Sequence, residues 1–171
     1  MKIFFSGVGG SGVSALASFM ADKGHEVVGS DRSFDADKSH PAYAPLVGKG
    51  VKIVPQDGTG IDSSLNLVVF STAVEKNLPE PERAAKLEIP VKMRPQFLAD
   101  LVAEHDTFAV AGTSGKSTTS GMLAFMMHEL GMSPNFIGGG RVTQFKSPTN
   151  LGNALVGHSK ILVAEACESD G

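Results

Sequence analysis

The chain of 171 residues has no tryptophan, a single tyrosine and a single cysteine. With only Cys167 present, an internal disulfide is excluded, and such sparse cysteine is typical of a protein in a reducing cytoplasm. No apolar stretch approaches the roughly 18 residues of a membrane-spanning helix, so we expect no membrane partner. The opening sequence MKIFFSGVGG turns to glycine after a short apolar run, which is not the pattern of a signal peptide.

Neither sign of charge is in large excess. Lys and Arg number 15 against 18 Asp and Glu, which leaves a net charge of −3. Nucleic-acid-binding proteins usually carry a basic patch, so we expect no nucleic acid partner. The five histidines lack metal-ligand spacing with the cysteine. What the chain does have is 42% hydrophobic residues, enough for a core, and 20 glycines that cluster between strand and helix patterns.

The first glycine loop follows a buried strand pattern at residues 2–5. It reads Gly-Val-Gly-Gly-Ser-Gly over residues 7–12, a G-x-G-x-x-G match, and helical apolar spacing comes next. A second strand pattern ends at Asp31, 19 residues beyond the last glycine, where a carboxylate can meet a ribose hydroxyl. We predict a site for a diphosphate and its ribose; the alternative is a glycine turn that only allows close packing. Ser71 and Thr72 follow another buried strand and either contact this ligand or cap the next helix.

A second glycine loop follows the apolar run of residues 108–111 and reads Gly-Thr-Ser-Gly-Lys-Ser-Thr-Thr over residues 112–119. The backbone N–H groups of such a loop and of the helix start point at phosphates. Lys116 would reach the terminal phosphates, and Ser117 would offer a hydroxyl to Mg²⁺. The usual P-loop has a glycine where Val110 stands. The alternative is a simple helix cap, but a lysine at a helix N-terminus opposes the dipole unless a polyanion binds there.

The last strand pattern, at residues 160–164, runs directly into the acids Glu165, Glu168 and Asp170. In P-loop proteins an acid at the end of a neighbouring strand helps to hold Mg²⁺ against the β- and γ-phosphates. We predict this metal role rather than a solvated acidic tail. Spacing alone does not choose between Glu165 and Glu168.

The alternation of strands and helices predicts an α/β fold. We expect a Rossmann-like doubly wound parallel sheet in residues 1–103, followed by the start of a P-loop-type ATPase domain in residues 104–171. Residues 32–50 and 133–153 read as irregular, apart from one short helix around residues 43–47. The helix after the second loop is predicted to end near residue 130 and to place these apolar side chains in the core: Met122, Phe125, Met126 and Leu130.

Five motifs occur in one order along the chain, at residues 7–12, 29–31, 71–74, 112–119 and 165–171. Together they resemble the N-terminal part of the Mur ligases of peptidoglycan synthesis, and the resemblance covers the whole chain. In that family a Rossmann-like first domain holds a UDP-sugar, and the central domain binds ATP and Mg²⁺.

The resemblance implies a set of site residues for each ligand. The UDP-sugar would lie against Gly9, Gly10, Ser11, Gly12, Asp31, Ser71 and Thr72. The ATP phosphates would lie against Gly112, Thr113, Ser114, Gly115, Lys116, Ser117 and Thr118, with Lys116 as the catalytic residue. Mg²⁺ would be held by Ser117 and by Glu165 or Glu168.

The resemblance also implies an activity. A Mur ligase activates the carboxylate of UDP-N-acetylmuramate as an acyl phosphate and joins it to an amino acid, here L-alanine, in cell wall biogenesis, cell shape and cell division. The amino acid is brought by a C-terminal domain outside these 171 residues, so we expect no ligation by them alone. The alternatives are a ligase that recycles muramyl peptides, a NAD-type dinucleotide-binding module and a non-catalytic nucleotide sensor.

Some positions depart from the usual motifs of that family. Ser114 occupies a position where the family usually has His or Asn, Ser117 one where it usually has Thr, and Cys167 one where it usually has Asp. Pro55 and Gln56 stand where many members have Gly-His, in the part that contacts UDP.

Overall fold

The computed structural model describes residues 1–72 and 78–166, which form two mainly parallel sheets with helices packed against them. The strands are β1 (Lys2–Ser6), β2 (Glu26–Ser30), β3 (Lys52–Val54), β4 (Leu67–Phe70), β5 (Val91–Met93), β6 (Asp106–Val110), β7 (Asn135–Ile137), β8 (Ala154–Leu155) and β9 (Ile161–Glu165). The helices are α1 (Ser11–Asp22), α2 (Arg32–Ala36), α3 (Tyr43–Gly48), α4 (Pro79–Lys86), α5 (Arg94–Ala103) and α6 (Lys116–Glu129), with a 3-10 turn at Thr143–Phe145. Within these two ranges, no helix is both long and apolar enough to cross a membrane.

The first sheet is parallel throughout, with the strand order β3-β2-β1-β4-β5. Its middle strand β1 is fully buried at Ile3, Phe4 and Phe5, as expected for a parallel sheet covered on both faces. The carboxyl ends of neighbouring strands meet at one edge, so that Ser6 is in register with Ser30. This is the strand order of a Rossmann-like sheet, and the predicted fold class is confirmed.

The second sheet has the order β6-β9-β7-β8, in which only β8 is antiparallel to its neighbour. The apolar run of β9 is buried between β6 and β7, and its last residue, Glu165, is in register with Val110 of β6. Strand β6 lies at the edge of this sheet, where the side chain of Phe108 is 49% exposed. The register places Glu165 beside the strand that leads into the second glycine loop.

Helix α1 packs between the two sheets. Its Leu16 is fully buried in one apolar core with Phe5 of the first sheet and Ile137 of the second. The side-chain amide of Asn153, just before β8, donates to the carbonyl oxygen of Ser11 at 2.9 Å. The helix that follows the first glycine loop is therefore fixed to both sheets, and a division into domains between residues 103 and 104 stays a prediction.

The expected apolar side of α6 is wrong for three of its four residues, whereas Phe125 is partly buried against the core of the second sheet. Met122, Met126 and Leu130 are 60%, 56% and 74% exposed. The face that packs on the sheet carries smaller residues and one methionine: Ser120, Gly121, Ala124 and Met127. Helical spacing identifies the apolar positions, but which face of the helix is covered depends on where the sheet lies. The side of α6 that carries Met122 and Met126 is mostly exposed.

Short elements in the two segments expected to be irregular are the other difference from the sequence prediction. The five-residue helix α2 begins directly after Asp31, and β7 and the 3-10 turn at Thr143–Phe145 are three residues long each. Elements of this length span about one period of a helix or strand, so their hydrophobic pattern carries little signal. The predicted short helix around residues 43–47 is confirmed as α3.

Candidate functional site

The backbone N–H groups of the first glycine loop are largely used within the protein. Those of Gly7 and Val8 donate to the carbonyl oxygen of Ser30, at 2.9 and 3.0 Å. That of Gly9 donates to Oδ2 of Asp31 at 2.8 Å. The loop is thereby held against the carboxyl end of β2, and its own amides do not face outward as a phosphate cradle.

The donors that remain lie in the first turn of α1. Residue Gly10 precedes this helix without a side-chain cap, and the first turn contains no acidic residue. The N–H groups of Ser11, Gly12 and Val13 therefore have no carbonyl four residues earlier in the helix. Together with the helix dipole they are a first candidate anion site. The predicted contacts at Ser11 and Gly12 lie at this place, whereas Gly9 supports the loop from behind.

Asp31 has a structural role that its spacing did not reveal. Its carboxylate caps α2 by accepting from the N–H of Ser33 at 2.9 Å, and it accepts from the Ser33 hydroxyl as well. The same carboxylate receives the N–H of Gly9. Asp31 thus joins the glycine loop to the start of α2, and its predicted contact with a ribose hydroxyl stays a prediction.

The second glycine loop turns sharply before α6. Gly112 and Gly115 have φ angles of 142° and 77°, in the region that favours glycine. The ammonium group of Lys116 folds back over the loop and donates to the carbonyl oxygen of Gly112 at 2.5 Å. Helix α6 also begins without a side-chain cap or an acid in its first turn. The loop, the uncapped helix and the lysine together are a second candidate anion site.

Ser117 and Glu165 meet beside this second loop. The Ser117 hydroxyl donates to Oε1 of Glu165 at 2.8 Å, and the N–H of Gly139 donates to Oε2 at 2.7 Å. A hydroxyl and a carboxylate are oxygen ligands of the kind that Mg²⁺ takes, with phosphates and water completing its shell. The donor set therefore fits Mg²⁺. Glu168, the alternative metal ligand, lies outside the described residues.

One cavity of about 210 Å³ is lined both by the start of α1 and by Glu165, which bonds to Ser117 beside the second loop. Its walls come from the start of α1, the end of β4, the start of α5, the turn after β7 and the end of β9. The polar residues and glycines that line it are Gly10, Ser11, Gly12, Ser71, Thr72, Arg94, Gly138, Gly139 and Glu165. The structure thus brings the predicted residues of the first loop, Ser71 and Thr72 into one cavity with Glu165.

Arg94 is a residue of this cavity that the sequence analysis did not identify. It is the first residue of α5, directly after β5, at the carboxyl edge of the first sheet. A methyl group on Gly12 would lie 3.0 Å from its Nη1 atom, so the guanidinium group lies over the first turn of α1. The available signal was its position after a strand, because ligands of open α/β sheets bind beyond the carboxyl ends of strands.

Comparison with known proteins agrees with this geometry. The sequence model described as "Mur ligase family, catalytic domain" matches residues 2–106. The chain belongs to the Mur ligase family. The match covers the whole first sheet with its glycine loop, Asp31 and Arg94, and it confirms the resemblance of the motifs.

Relatives in the Mur ligase family match the whole chain but are much longer. The UDP-N-acetylmuramate--L-alanine ligase of Rubrobacter xylanophilus is 39% identical over 170 residues, which are 99% of this chain and 36% of the relative. The enzyme of the same name from Carboxydothermus hydrogenoformans is 38% identical over 173 residues, or 100% of this chain and 35% of the relative. The chain therefore spans about a third of the length of these relatives.

Solved Mur ligase structures share the fold. The UDP-N-acetylmuramate-alanine ligase MurC of Thermotoga maritima superposes with a TM-score of 0.83 at 30% identity, over 96% of this chain and 37% of that one. The UDP-N-acetylmuramate:L-alanyl-gamma-D-glutamyl-meso-diaminopimelate ligase of Neisseria meningitides also gives 0.83, at 28% identity, over 99% of this chain and 53% of that one. Two Mur ligases with different named substrates are thus equally similar in fold.

Proposed function

We propose that this chain is the UDP-sugar-binding part and the beginning of the ATP-binding part of a ligase that joins L-alanine to UDP-N-acetylmuramate. The observation that carries the proposal is that the start of α1 and Glu165, which accepts the Ser117 hydroxyl, line the same cavity. A ligase that transfers a phosphoryl group needs its two substrates within reach in one enclosed space. The two substrates in this proposal are those in the names of the relatives.

The residues divide into two groups in this proposal. Residues 1–103 form the UDP-sugar-binding domain, in which Gly10, Ser11, Gly12, Asp31, Ser71 and Thr72 form the diphosphate and ribose site, with Arg94 added and with Gly9 supporting the loop. Residues 104–171 form the beginning of the ATP-binding domain. Its loop of residues 112–118 would bind the ATP phosphates, and Ser117 with Glu165 would bind Mg²⁺. We also propose a cytoplasmic location.

The chain's own groups would act by positioning and by charge. The uncapped start of α1 and Arg94 would hold the diphosphate, so that the substrate carboxylate lies in the cavity toward Glu165. Lys116 would turn from the Gly112 carbonyl oxygen to the developing charge on the transferred phosphoryl group. Bound ATP with Mg²⁺ supplies that group and neutralises its charge. The substrate carboxylate oxygen would take the γ-phosphoryl group from ATP, which gives an acyl phosphate and releases ADP. The amine of the amino acid would then attack the acyl carbon, lose a proton and displace phosphate to give the amide.

Ligand protection distinguishes a UDP-sugar site from a NAD-type site. UDP-N-acetylmuramate at about 100 times its dissociation constant is expected to stabilise the chain by about 2.7 kcal/mol. For a chain of this length, that raises Tm by roughly 5–10 °C. NADH at the same concentration is expected to leave Tm unchanged. Calorimetric titration gives the dissociation constant. Protection by NADH without protection by the UDP-sugar would favour the dinucleotide-binding module.

The metal role of Glu165 is tested by Mg²⁺-dependent ATP binding. Glu165→Gln keeps the size of the side chain but removes the charge that faces Ser117. We expect about tenfold weaker ATP binding in the presence of Mg²⁺ and little change in its absence. The matched control is Glu129→Gln, an exposed acid at the end of α6. Equal Mg²⁺ dependence of ATP affinity in the E165Q and wild-type chains would contradict the metal role.

A ligase that recycles muramyl peptides is the second candidate, favoured by the equal TM-score of the Neisseria enzyme. The test is an assay, with a ligase that contains this chain, of which substrate is joined to UDP-N-acetylmuramate: L-alanine or the tripeptide. The expected absence of ligation by these 171 residues alone stays a prediction, which a turnover assay with ATP, alanine and the UDP-sugar checks.

A further inference from the structure

Glu80 is a buried acid for which the proposed function gives no role. It is the second residue of α4 and has no solvent exposure. It is the only charged residue that is fully buried among those whose side chains the structure describes. Burying a carboxylate is costly unless hydrogen bonds compensate, so its partners indicate what it does.

The partners of Glu80 are the last residues of two neighbouring strands. Its Oε2 accepts the hydroxyl of Ser6, at the end of β1, and its Oε1 accepts the hydroxyl of Ser30, at the end of β2. The side-chain amide of Gln56 donates to the Ser6 hydroxyl at 3.3 Å, and Gln56 also accepts the N–H of Arg32 at 3.1 Å. One carboxylate thus ties together the carboxyl edge of the sheet from α4.

The strand ends that Glu80 ties are those that hold the first glycine loop. Ser6 is followed directly by the loop, and the carbonyl oxygen of Ser30 accepts the N–H groups of Gly7 and Val8. The next residue, Asp31, accepts the N–H of Gly9. A shift of either serine would therefore move the loop and, with it, the first turn of α1.

We propose that Glu80 is a positioning residue, whose carboxylate holds the first glycine loop and the start of α1 in the geometry that receives the diphosphate of the substrate. This inference rests on the proposed UDP-sugar site. The ionised carboxylate accepts both serine hydroxyls. A protonated one becomes a donor at one oxygen, so that one serine must turn and one contact to the strand ends changes.

Burial raises the pKa of Glu80, against the opposing effect of the hydrogen bonds from Ser30, Ser6 and Gln56, and the charge of Asp57 raises it further. Around the carboxylate, β1 and β2 present the serine hydroxyls, and the segment after β3 presents the Gln56 amide and the Asp57 carboxylate. Asp57 is the ionisable group among these. The two carboxylates carry the same charge, so protonation of Glu80 relieves repulsion while it disturbs the serine contacts.

The raised pKa also gives the sign of a stability effect. The folded chain binds the Glu80 proton more tightly than the unfolded chain does, so the stabilisation is complete below the ordinary glutamate pKa and is lost as pH rises through the raised value. Glu80→Gln cannot ionise and keeps the side-chain shape. Its stability relative to wild type should therefore increase with pH across this window, while its UDP-sugar affinity decreases.

The experiment compares the wild-type, E80Q and E82Q chains, because Glu82 is an exposed acid on the same helix. Calorimetry with UDP-N-acetylmuramate is expected to show roughly 5- to 10-fold weaker binding by E80Q than by wild type near neutral pH, from the loss of charged hydrogen bonds to both serines. The UDP-sugar affinity of the wild-type chain should fall as the pH drops through the pKa of Glu80. The affinity of E80Q should not change over the same pH range. E82Q should behave like the wild-type chain in both respects.

Hydrogen–deuterium exchange provides a readout that needs no ligand. Peptides that cover residues 7–13 are expected to exchange faster in E80Q than in E82Q. If E80Q matches the wild-type chain in hydrogen exchange, UDP-sugar affinity and pH profile, the inference is overturned and the proposed function is left intact. Absence of UDP-sugar binding by the wild-type chain would instead overturn the proposed function, and this inference with it.

Discussion

Replacing Phe5 by alanine is expected to lower the free energy of unfolding by about 3–5 kcal/mol, the range for a large buried aromatic residue. Phe5 lies in the central strand of the first sheet with no solvent exposure. Its ring meets that of Phe97 edge to face, with 5.7 Å between the centroids. The same core includes Leu16 of α1 and Ile137 of the second sheet. A cavity here weakens the packing of both sheets on α1, so Tm should fall by roughly 6–20 °C.

Phe108→Ala is the matched control for this loss. Phe108 is also in a parallel strand, in register with Val163, but β6 is an edge strand and the ring is 49% exposed. The same deletion of a ring is expected to cost less than about 1.5 kcal/mol there. Chemical denaturation followed by circular dichroism measures both variants. Equal losses at the two positions would show that the core is not centred on β1 and α1.

Replacing Arg94 by alanine is expected to weaken binding of UDP-N-acetylmuramate roughly 10- to 100-fold, since a hydrogen bond to a charged group contributes about 1.5–3 kcal/mol. The guanidinium lies over Gly12 at the uncapped start of α1 and lines the cavity. A planar guanidinium can donate two parallel hydrogen bonds to a phosphate, which a lysine cannot reproduce. Arg94→Lys should therefore recover only part of the affinity. Calorimetric titration of each variant gives the dissociation constants.

The control for Arg94 is Arg141→Ala. Arg141 is exposed and lines a different cavity, which also includes Ser117. Arg141→Ala removes one positive charge, as Arg94→Ala does, but does not change the start of α1. We expect unchanged UDP-sugar affinity for R141A. An R94A chain that binds the UDP-sugar as tightly as R141A would remove Arg94 from the site.

Much of the fold was predictable because its signals are local. The strand–glycine loop–helix order around residues 7–12 and 112–119 depends on neighbours in sequence, and both loops lead into the helices that the pattern indicated. Helix α6 shows the limit of such a signal. Its length was predicted within one residue, but the buried face was wrong, because burial depends on a sheet assembled from strands far apart in the chain.

The sequence by itself determined the family, the parallel α/β fold and the two glycine loops, since each follows from short motifs and their order. Only the tertiary structure decided which groups meet. Ser117 and Glu165 are 48 positions apart, and Glu80 is 74 and 50 positions from its two serines. The packing of the sheets on α1 places Arg94 over Gly12 and brings the start of α1 and Glu165 to the same cavity. Such contacts depend on strand order and register, which no local pattern contains.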